Sequence, residues 1–483
     1  PPPPTSVFYG FELEGVMLKT ILRASAAIAA VASMAVAEDK VLTPVEAEAR
    51  AMFEKLIGFP TVAGRGAAPK MAGYLAGELI EAGFDAGDIE IIPVGETVAM
   101  IARYRGVAGS EKKPALFLAH MDVVEARRED WDFDPFVLTE KDGIFYGRGV
   151  VDNKYGVLTL TQAFMRLKRE GFTPDRDLIL AFSGDEETGM LTTRALAARL
   201  KEAVFAVNSD AGGGYRPANG APAAYGIQAA EKTYATFEVT AKNDGGHSSA
   251  PRADNAIYDL ANALKRIEAH RFPTRWNAVS LAGFATIAPT LEGDLKKAVE
   301  QFVAKPGDAR AAKVMATDAS IDRDMRTTCV ATMLRGGHAE NALPQTATAT
   351  VNCRIFPGET VDEVKTALAA AMANEKLDLA TLGEPLESPV SEVPDEVSRA
   401  LAAVIAVRAP GAVVSPYLEA GGTDGLHFRR AGVATLGIGP IFSVEGDEYN
   451  YHGKNERLPA ARFYDGLDHY VIFIKALSGP QNE

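Results

Sequence analysis

The chain has 483 residues, with 50 Lys+Arg against 64 Asp+Glu for a net charge of −14, and it is 47% hydrophobic and 24% charged. That is ordinary globular composition and excludes a disordered chain, a collagen and a coiled-coil rod. The acidic balance argues against nucleic-acid binding, which wants a basic patch. At roughly 150 residues per domain, the length allows two or three domains.

Residues 1–16 carry no periodic pattern and read as a tag or an over-extended start. From Met17, Lys19 and Arg23 form a basic region, an Ala-rich apolar run follows, and Ala35-Val36-Ala37 is a small-residue cleavage site. These are the three parts of a secretory signal peptide; the alternative is a buried Ala-rich helix. The run is too short to span a bilayer comfortably, and no other stretch is long enough to do so. The expectation is a secreted or periplasmic protein, with 1–37 as leader and signal peptide and the mature chain starting near Glu38.

Thr43-Pro44-Val45-Glu46 is a capping box with Pro at the first helical position, so a helix starts there. Ala115–Ala119, Leu178–Phe182 and Ala203–Val207 are short apolar runs that read as strands buried on both faces. Between them Val157, Leu160, Phe164 and Leu167 recur at helical spacing, and Gly171 stops that helix. Strands alternating with helices predict α/β architecture, a largely parallel sheet flanked by helices. The pattern changes after about residue 231. Tyr234–Val239 alternates, Asp254 is placed to cap a helix with Ile257, Leu260, Leu264 and Ile267 on one stripe, and Thr346–Ile355 alternates cleanly. Thr360–Glu363 is a second capping box. One-sided strands with one-sided helices predict a small α+β domain. Val397, Leu401, Val404 and Ile405 mark another helix, and Ala434–Ile438 reads as a strand returning to the first sheet. The organisation expected is therefore 38–230 and 386–483 as two parts of one domain, with 231–385 inserted between them. Residues 288–330 are the least readable.

The chemistry lies where those strands end. His120 and Asp122 close the first, Asp185, Glu186 and Glu187 the second, and Asp210 the third; Asp152 precedes a helix between them. Ligands bind at the carboxyl ends of strands in open α/β sheets. Three acids at one strand end are unfavourable without a cation, although a helix N-terminus accommodates one or two. Oxygen ligands with a few His and no Cys suit two divalent cations such as zinc, manganese or cobalt. A bridging carboxylate can hold both and share an activated water, and a further carboxylate is then needed to move protons.

The motifs HMD at 120–122, GRGVVDNK at 147–154, SGDEETG at 183–189, NSD at 208–210, GGHSSAP at 245–251 and HGKNE at 452–456 together resemble one family. It is the aminoacylase / glutamate carboxypeptidase / succinyl-diaminopimelate desuccinylase family of metallopeptidases, and the wording is similar to its Gly-Xaa carboxypeptidase and N-acyl-amino-acid hydrolase branch. The resemblance covers about residues 42–475. It implies a zinc-exopeptidase-like sheet with an inserted lid that serves dimerisation, and two divalent ions per chain, zinc with cobalt or manganese as alternatives. By resemblance His120 and Asp210 hold one metal, Glu187 and His452 the other, and Asp152 bridges them with a cis peptide after it. Glu186 is the general base, Asp122 orients His120, and His247 donates to the oxyanion, across a homodimer in dimeric relatives. Asn341 and Arg354 hold the substrate's carboxylate, and Gly421, Gly422, Thr423 and Asp424 line the same pocket.

The implied activity is hydrolysis of the amide next to a C-terminal amino acid with a free carboxylate. Dipeptide and N-acyl-amino-acid substrates stay open, and a catalytically dead binding protein is a remote alternative. No nucleic acid or membrane span is expected. Among the other histidines, His270 ends a lid helix, His469 sits in a polar stretch of the last helix, and His338 and His427 lie near motif residues. Two cysteines, Cys329 and Cys353, exclude a disulfide framework and a cysteine-based zinc module. They read as small buried apolar residues, with a disulfide as the alternative in an exported chain.

Overall fold

The structure, a computed structural model, describes residues 41–220 and 222–479. The signal peptide expected over 1–37 lies outside the described residues. The first helix, Pro44–Ile57, begins at the predicted capping box: Thr43 Oγ1 accepts from the Glu46 amide at 3.2 Å, and the Glu46 carboxylate accepts from the Thr43 amide at 2.8 Å.

A ten-stranded sheet runs through the body. Its parallel centre is made of Leu178–Ser183, Ala115–His120, Phe205–Asn208 and Ala434–Gly437, with His120 in register with Ser183 and Leu118 with Asn208. The first three strands are buried at every position, which is why they read as unbroken apolar runs rather than alternations. Ala434–Gly437 is the expected returning strand, and it pairs parallel with Phe205–Asn208 although more than two hundred residues separate them. Thr97–Tyr104 closes one side antiparallel to Leu178–Ser183, while Ala224–Glu231 and Val413–Glu419 extend the other. The helix Lys154–Arg169 and the apolar faces of Pro44–Ile57 and His469–Ser478 pack into the main core beside this sheet.

Between Glu231 and Val413 the chain builds a second, antiparallel sheet ordered Thr328–Gly336, Thr346–Ile355, Thr233–Lys242, Asp378–Leu382. Thr346–Ile355 alternates as its sequence does: Ala347, Ala349, Val351, Cys353 and Ile355 are buried against Leu260, Ile267, Val364 and Leu368 of the helices Ala256–Ala269 and Val361–Met372. The helix predicted to be capped by Asp254 starts one residue later. Asn255 accepts from the Ile257 amide at 2.9 Å, whereas Asp254 is taken by Arg252 and Asn243.

Cys329 and Cys353 are a disulfide, not two small apolar fillers. They face each other directly in the register of Thr328–Gly336 against Thr346–Ile355, with Cα atoms 4.1 Å apart. The least readable stretch, 288–330, contains the helices Gly293–Ala304, Ala309–Met315 and Ala319–Asp324, which with the preceding helix Ala278–Ile287 form a small core of their own around Phe284, Val299, Phe302 and Met315. Val279, from Ala278–Ile287, packs into the main core and so joins this excursion to the body.

Candidate metal centre

Five residues expected as ligands converge in two groups that share Asp152. In one, His120 Nε2 lies 2.9 Å from Asp152 Oδ1 and 3.4 Å from Asp210 Oδ1. In the other, His452 Nε2 lies 3.0 Å from Asp152 Oδ2 and 3.1 Å from Glu187 Oε1. Asp152 thus turns one oxygen toward each imidazole, as a bridging carboxylate must. The Asp152–Asn153 peptide is cis.

Each strand end fixes its side chains through the loop that follows. The Asp122 carboxylate accepts from the amides of Glu186 and Glu187 at 3.1 and 3.0 Å, joining two strand ends. His120 Nδ1 is 3.0 Å from the backbone oxygen of Asp122 and 3.6 Å from its carboxylate, so the carbonyl is the group within hydrogen-bond reach that sets the ring. Asn153 donates to Asp210 at 2.6 Å and accepts from Ser209 at 3.0 Å. Asp185 is the acid that the helix N-terminus explains: it accepts from the Leu191 and Thr192 amides at 2.7 and 2.9 Å. The Glu186 carboxylate is the exception, with no hydrogen bond to the protein among the described residues, although the residue is only 8% exposed. A third group of potential ligands takes in His120, Glu186 and Glu187. Glu186 belongs to neither of the two groups that share Asp152.

The groups of this cluster shift one another. Burial pushes Glu186 well above the usual carboxylate range, helped by Asp210, Asp424 and Glu187, and burial also raises Asp210. Burial opposes the charge on His120, yet Asp210, Asp122 and Asp152 hold it well above the imidazole range. Bonds to Asp152 and Glu187 raise His452 to about 10. The carboxylates thus favour positive charge at the imidazoles. Two divalent cations supply the same compensation, and a donor set of carboxylate oxygens and imidazole nitrogens suits them.

Two residues in the recognised motifs had been given no role. Glu456, of HGKNE, is fully buried and accepts from Arg148 at 2.7 Å and from the amides of Gly149, Val151 and Asp152 at 3.0, 2.9 and 3.1 Å. Arg148 also donates to the Gly453 carbonyl at 2.9 Å and lies over Trp131. This pair clamps the loop carrying Asp152 to the loop carrying His452. A buried Arg and a buried Glu flanking ligands in two motifs are a signal, but their pairing is visible only in the fold.

Two cavities meet at Glu186, Glu187 and Gly422. One, of about 690 Å³, is walled by Gly421, Gly422, Thr423, Asp152, Asp210 and His452, and by a glycine ribbon past Asp210. Gly212 in that ribbon has φ 78°, and a Cβ there would sit 2.2 Å from the Gly437 carbonyl, so only glycine fits. The other, of about 610 Å³, is lined by Arg354, Tyr234 and His427 among others. Asp424 does not line either: it is buried, accepts from Ser183 at 2.6 Å, and is raised to about 7 by burial.

His247 and Asn341 are not brought to these cavities by their own chain. Both are exposed beside a two-stranded ribbon, Gly246–His247 against Ala342–Leu343, where the Ser248 amide donates to the Asn341 carbonyl at 3.0 Å. His338 is exposed as well. His469 is not in a polar setting: it is fully buried, receives a hydrogen bond from Arg408 at 2.6 Å, and is held well below the imidazole range by burial and by that guanidinium.

Residues 116–476 match the model of peptidase family M20/M25/M40. The chain is 29% identical over 383 residues to N-fatty-acyl-amino acid synthase/hydrolase PM20D1 of Xenopus tropicalis, covering 76% of this chain and 74% of that one. It is 25% identical over 389 residues to probable carboxypeptidase S-like 2 of Dictyostelium discoideum, covering 78% and 74%. Among solved structures, the M20 family metallo-carboxypeptidase Sso-CP2 from Sulfolobus solfataricus shares the fold with a TM-score of 0.65 and 19% identity, over 89% of this chain and 99% of that one. Human carnosine dipeptidase 1 does so with a TM-score of 0.61 and 17% identity, over 89% and 96%.

Proposed function

The chain belongs to peptidase family M20/M25/M40, and from that premise we propose that this metal-dependent hydrolase cleaves the amide bond next to a C-terminal amino acid whose carboxylate is free. The observation that carries the reading is the position of Arg354. Its guanidinium lines a cavity that reaches Glu186 and Glu187, lies 4.7 Å from the Tyr234 ring centre, gives one hydrogen bond to the Ala420 carbonyl at 3.0 Å, and has no carboxylate partner among the described residues. A planar guanidinium so held matches a carboxylate bidentately.

His120, Asp210 and Asp152 would hold one divalent ion, and Glu187, His452 and Asp152 the other; zinc is our choice, with cobalt or manganese as alternatives. When bound, the pair polarises the scissile carbonyl and acidifies water. Glu186 then takes the proton of the attacking water on its unpaired carboxylate and delivers it to the leaving nitrogen. The Asp122 carboxylate keeps Glu186 in place through its amide. Gly422 lines both cavities, where its backbone N–H would face substrate, while the Gly421 amide is taken by the Glu419 carboxylate at 3.3 Å. Dipeptides and N-acyl amino acids both satisfy this geometry, and the relatives named N-fatty-acyl-amino acid synthase/hydrolase support the second.

The reading includes a homodimer. Thr328–Gly336 is an edge strand carrying the exposed apolar residues Val330, Met333 and Leu334, with exposed Ile257 and Tyr258 on the helix Ala256–Ala269 that packs on the same sheet. Pairing there suits a second copy, and His247 would act at the partner's metal centre. It also includes export: the Cys329–Cys353 disulfide suits an oxidising compartment, and sequencing the mature N-terminus tests removal of 1–37. The activity is tested by a panel of free dipeptides, N-acyl amino acids and C-amidated counterparts after loading with zinc, cobalt or manganese. Hydrolysis restricted to free carboxylates is expected; equal rates on amidated substrates would refute the exopeptidase reading.

A further inference from the structure

We infer that the cavity beside Arg354 selects a leaving amino acid whose side chain is itself a carboxylate, with Arg194 as its cation. This rests on the exopeptidase reading and deepens it. Once the substrate's α-carboxylate occupies Arg354, a second guanidinium in the same 610 Å³ cavity remains unanswered. Arg194 stands on the helix Leu191–Arg199, whose first turn is pinned by Asp185 through the Leu191 and Thr192 amides. Its side chain is exposed and makes no hydrogen bond or ion pair among the described residues.

Two of the neighbouring charges, Lys232 and Glu231, are already engaged. Lys232 donates to the carbonyls of Arg323 and Arg326. Glu231 is paired with Arg429 at 3.2 Å. Glu384 lines the cavity but forms no ion pair with Arg194 among the described residues. His427, pushed down to about 4 by burial and by Arg194 and Arg430, stands in the wall as a neutral imidazole. Met190, Leu426 and Leu382 supply apolar surface for the methylenes of such a side chain. A short acidic side chain thus finds apolar walls and one free guanidinium at the same site, the arrangement that gives a charge-assisted bond.

The test compares Ala-Glu, Ala-Gln and Ala-Leu on the metal-loaded enzyme, with N-acetyl-Glu and N-acetyl-Leu as the matching N-acyl pair. For the wild type, kcat/KM should favour Glu over its neutral isostere Gln by about 10–100-fold, carried mainly by KM. In Arg194→Gln that ratio should collapse to about one, and Arg194→Lys should restore part of it, which a merely structural role would not do. A wild-type Glu:Gln ratio near one overturns the inference, as does a ratio unchanged in Arg194→Gln. If Ala-Leu or N-acetyl-Leu is cleaved while the ratio is flat, the exopeptidase reading survives and only the inference falls. If no substrate in the panel is cleaved, the reading itself falls.

Discussion

The strand ends of the large sheet and the Gly246–His247 ribbon of the lid both carry motif residues, and they hold them in opposite ways. At the large sheet, His120 is the last of six buried residues in register with the next strand, and the loops beyond are tied to one another: Asp122 to the amides of Glu186 and Glu187, Asn153 to Asp210, Glu456 to the loop of Asp152. The ribbon has two residues a side, Gly246–His247 exposed and Ala342–Leu343 half-buried, and among the described residues the His247 ring hydrogen-bonds to Ser249 alone. A buried, cross-tied strand end sets a ligand within the chain. An exposed ribbon leaves the position of its side chain to whatever docks against it.

The comparison breaks most sharply at Glu186. Glu186→Gln keeps size and leaves the five ligands, so kcat should fall about 10²–10⁴-fold with metal content unchanged, measured by steady-state kinetics beside elemental analysis. A variant retaining half its activity would move the proton carrier elsewhere. For His247→Ala the expected loss is about 10²–10³ in kcat. Mixing it with Glu186→Gln sharpens the contrast: if the ribbon serves a partner, mixed dimers hold one intact site and activity returns. No recovery after confirmed subunit exchange would place His247 within its own chain or outside the reaction.

Arg354 lies between the two regimes, on the half-exposed face of a lid strand whose other face is buried, and it lines the cavity. Arg354→Ala should raise KM about 10–100-fold and change kcat less, as loss of a charge-assisted bond made in both ground and transition states does. Glu456→Gln should weaken metal affinity about 10–100-fold without removing a ligand, read by competition with a chelator. An unchanged affinity would mean that the Arg148–Glu456 clamp is structural only.

The fully buried strands and the alternating Thr346–Ile355 were legible because burial on two faces or one writes itself directly into the residue pattern. Four of the five candidate ligands were legible in place because each follows a readable strand or precedes a readable helix, whereas His452, in a turn before Arg457–Pro459, was reached through its motif alone. What escaped depends on pairings far apart in sequence. Glu456 and Arg148 are 308 positions apart, and neither motif alone reveals that they meet. Cys329 and Cys353 become partners only through the strand register. His469 has polar neighbours in sequence, but it faces Tyr225 and Arg408 inside the body. Ala278–Ile287 is apolar nearly all round, so no stripe marks it as a helix.

The account stands on two metal sites sharing one carboxylate. Anomalous diffraction from crystals of the zinc-loaded protein tests it most directly. It should show two peaks per chain, one beside His120 and Asp210 and one beside Glu187 and His452, each about 2.0–2.2 Å from an oxygen of Asp152. A single peak, or two that do not share Asp152, would contradict it.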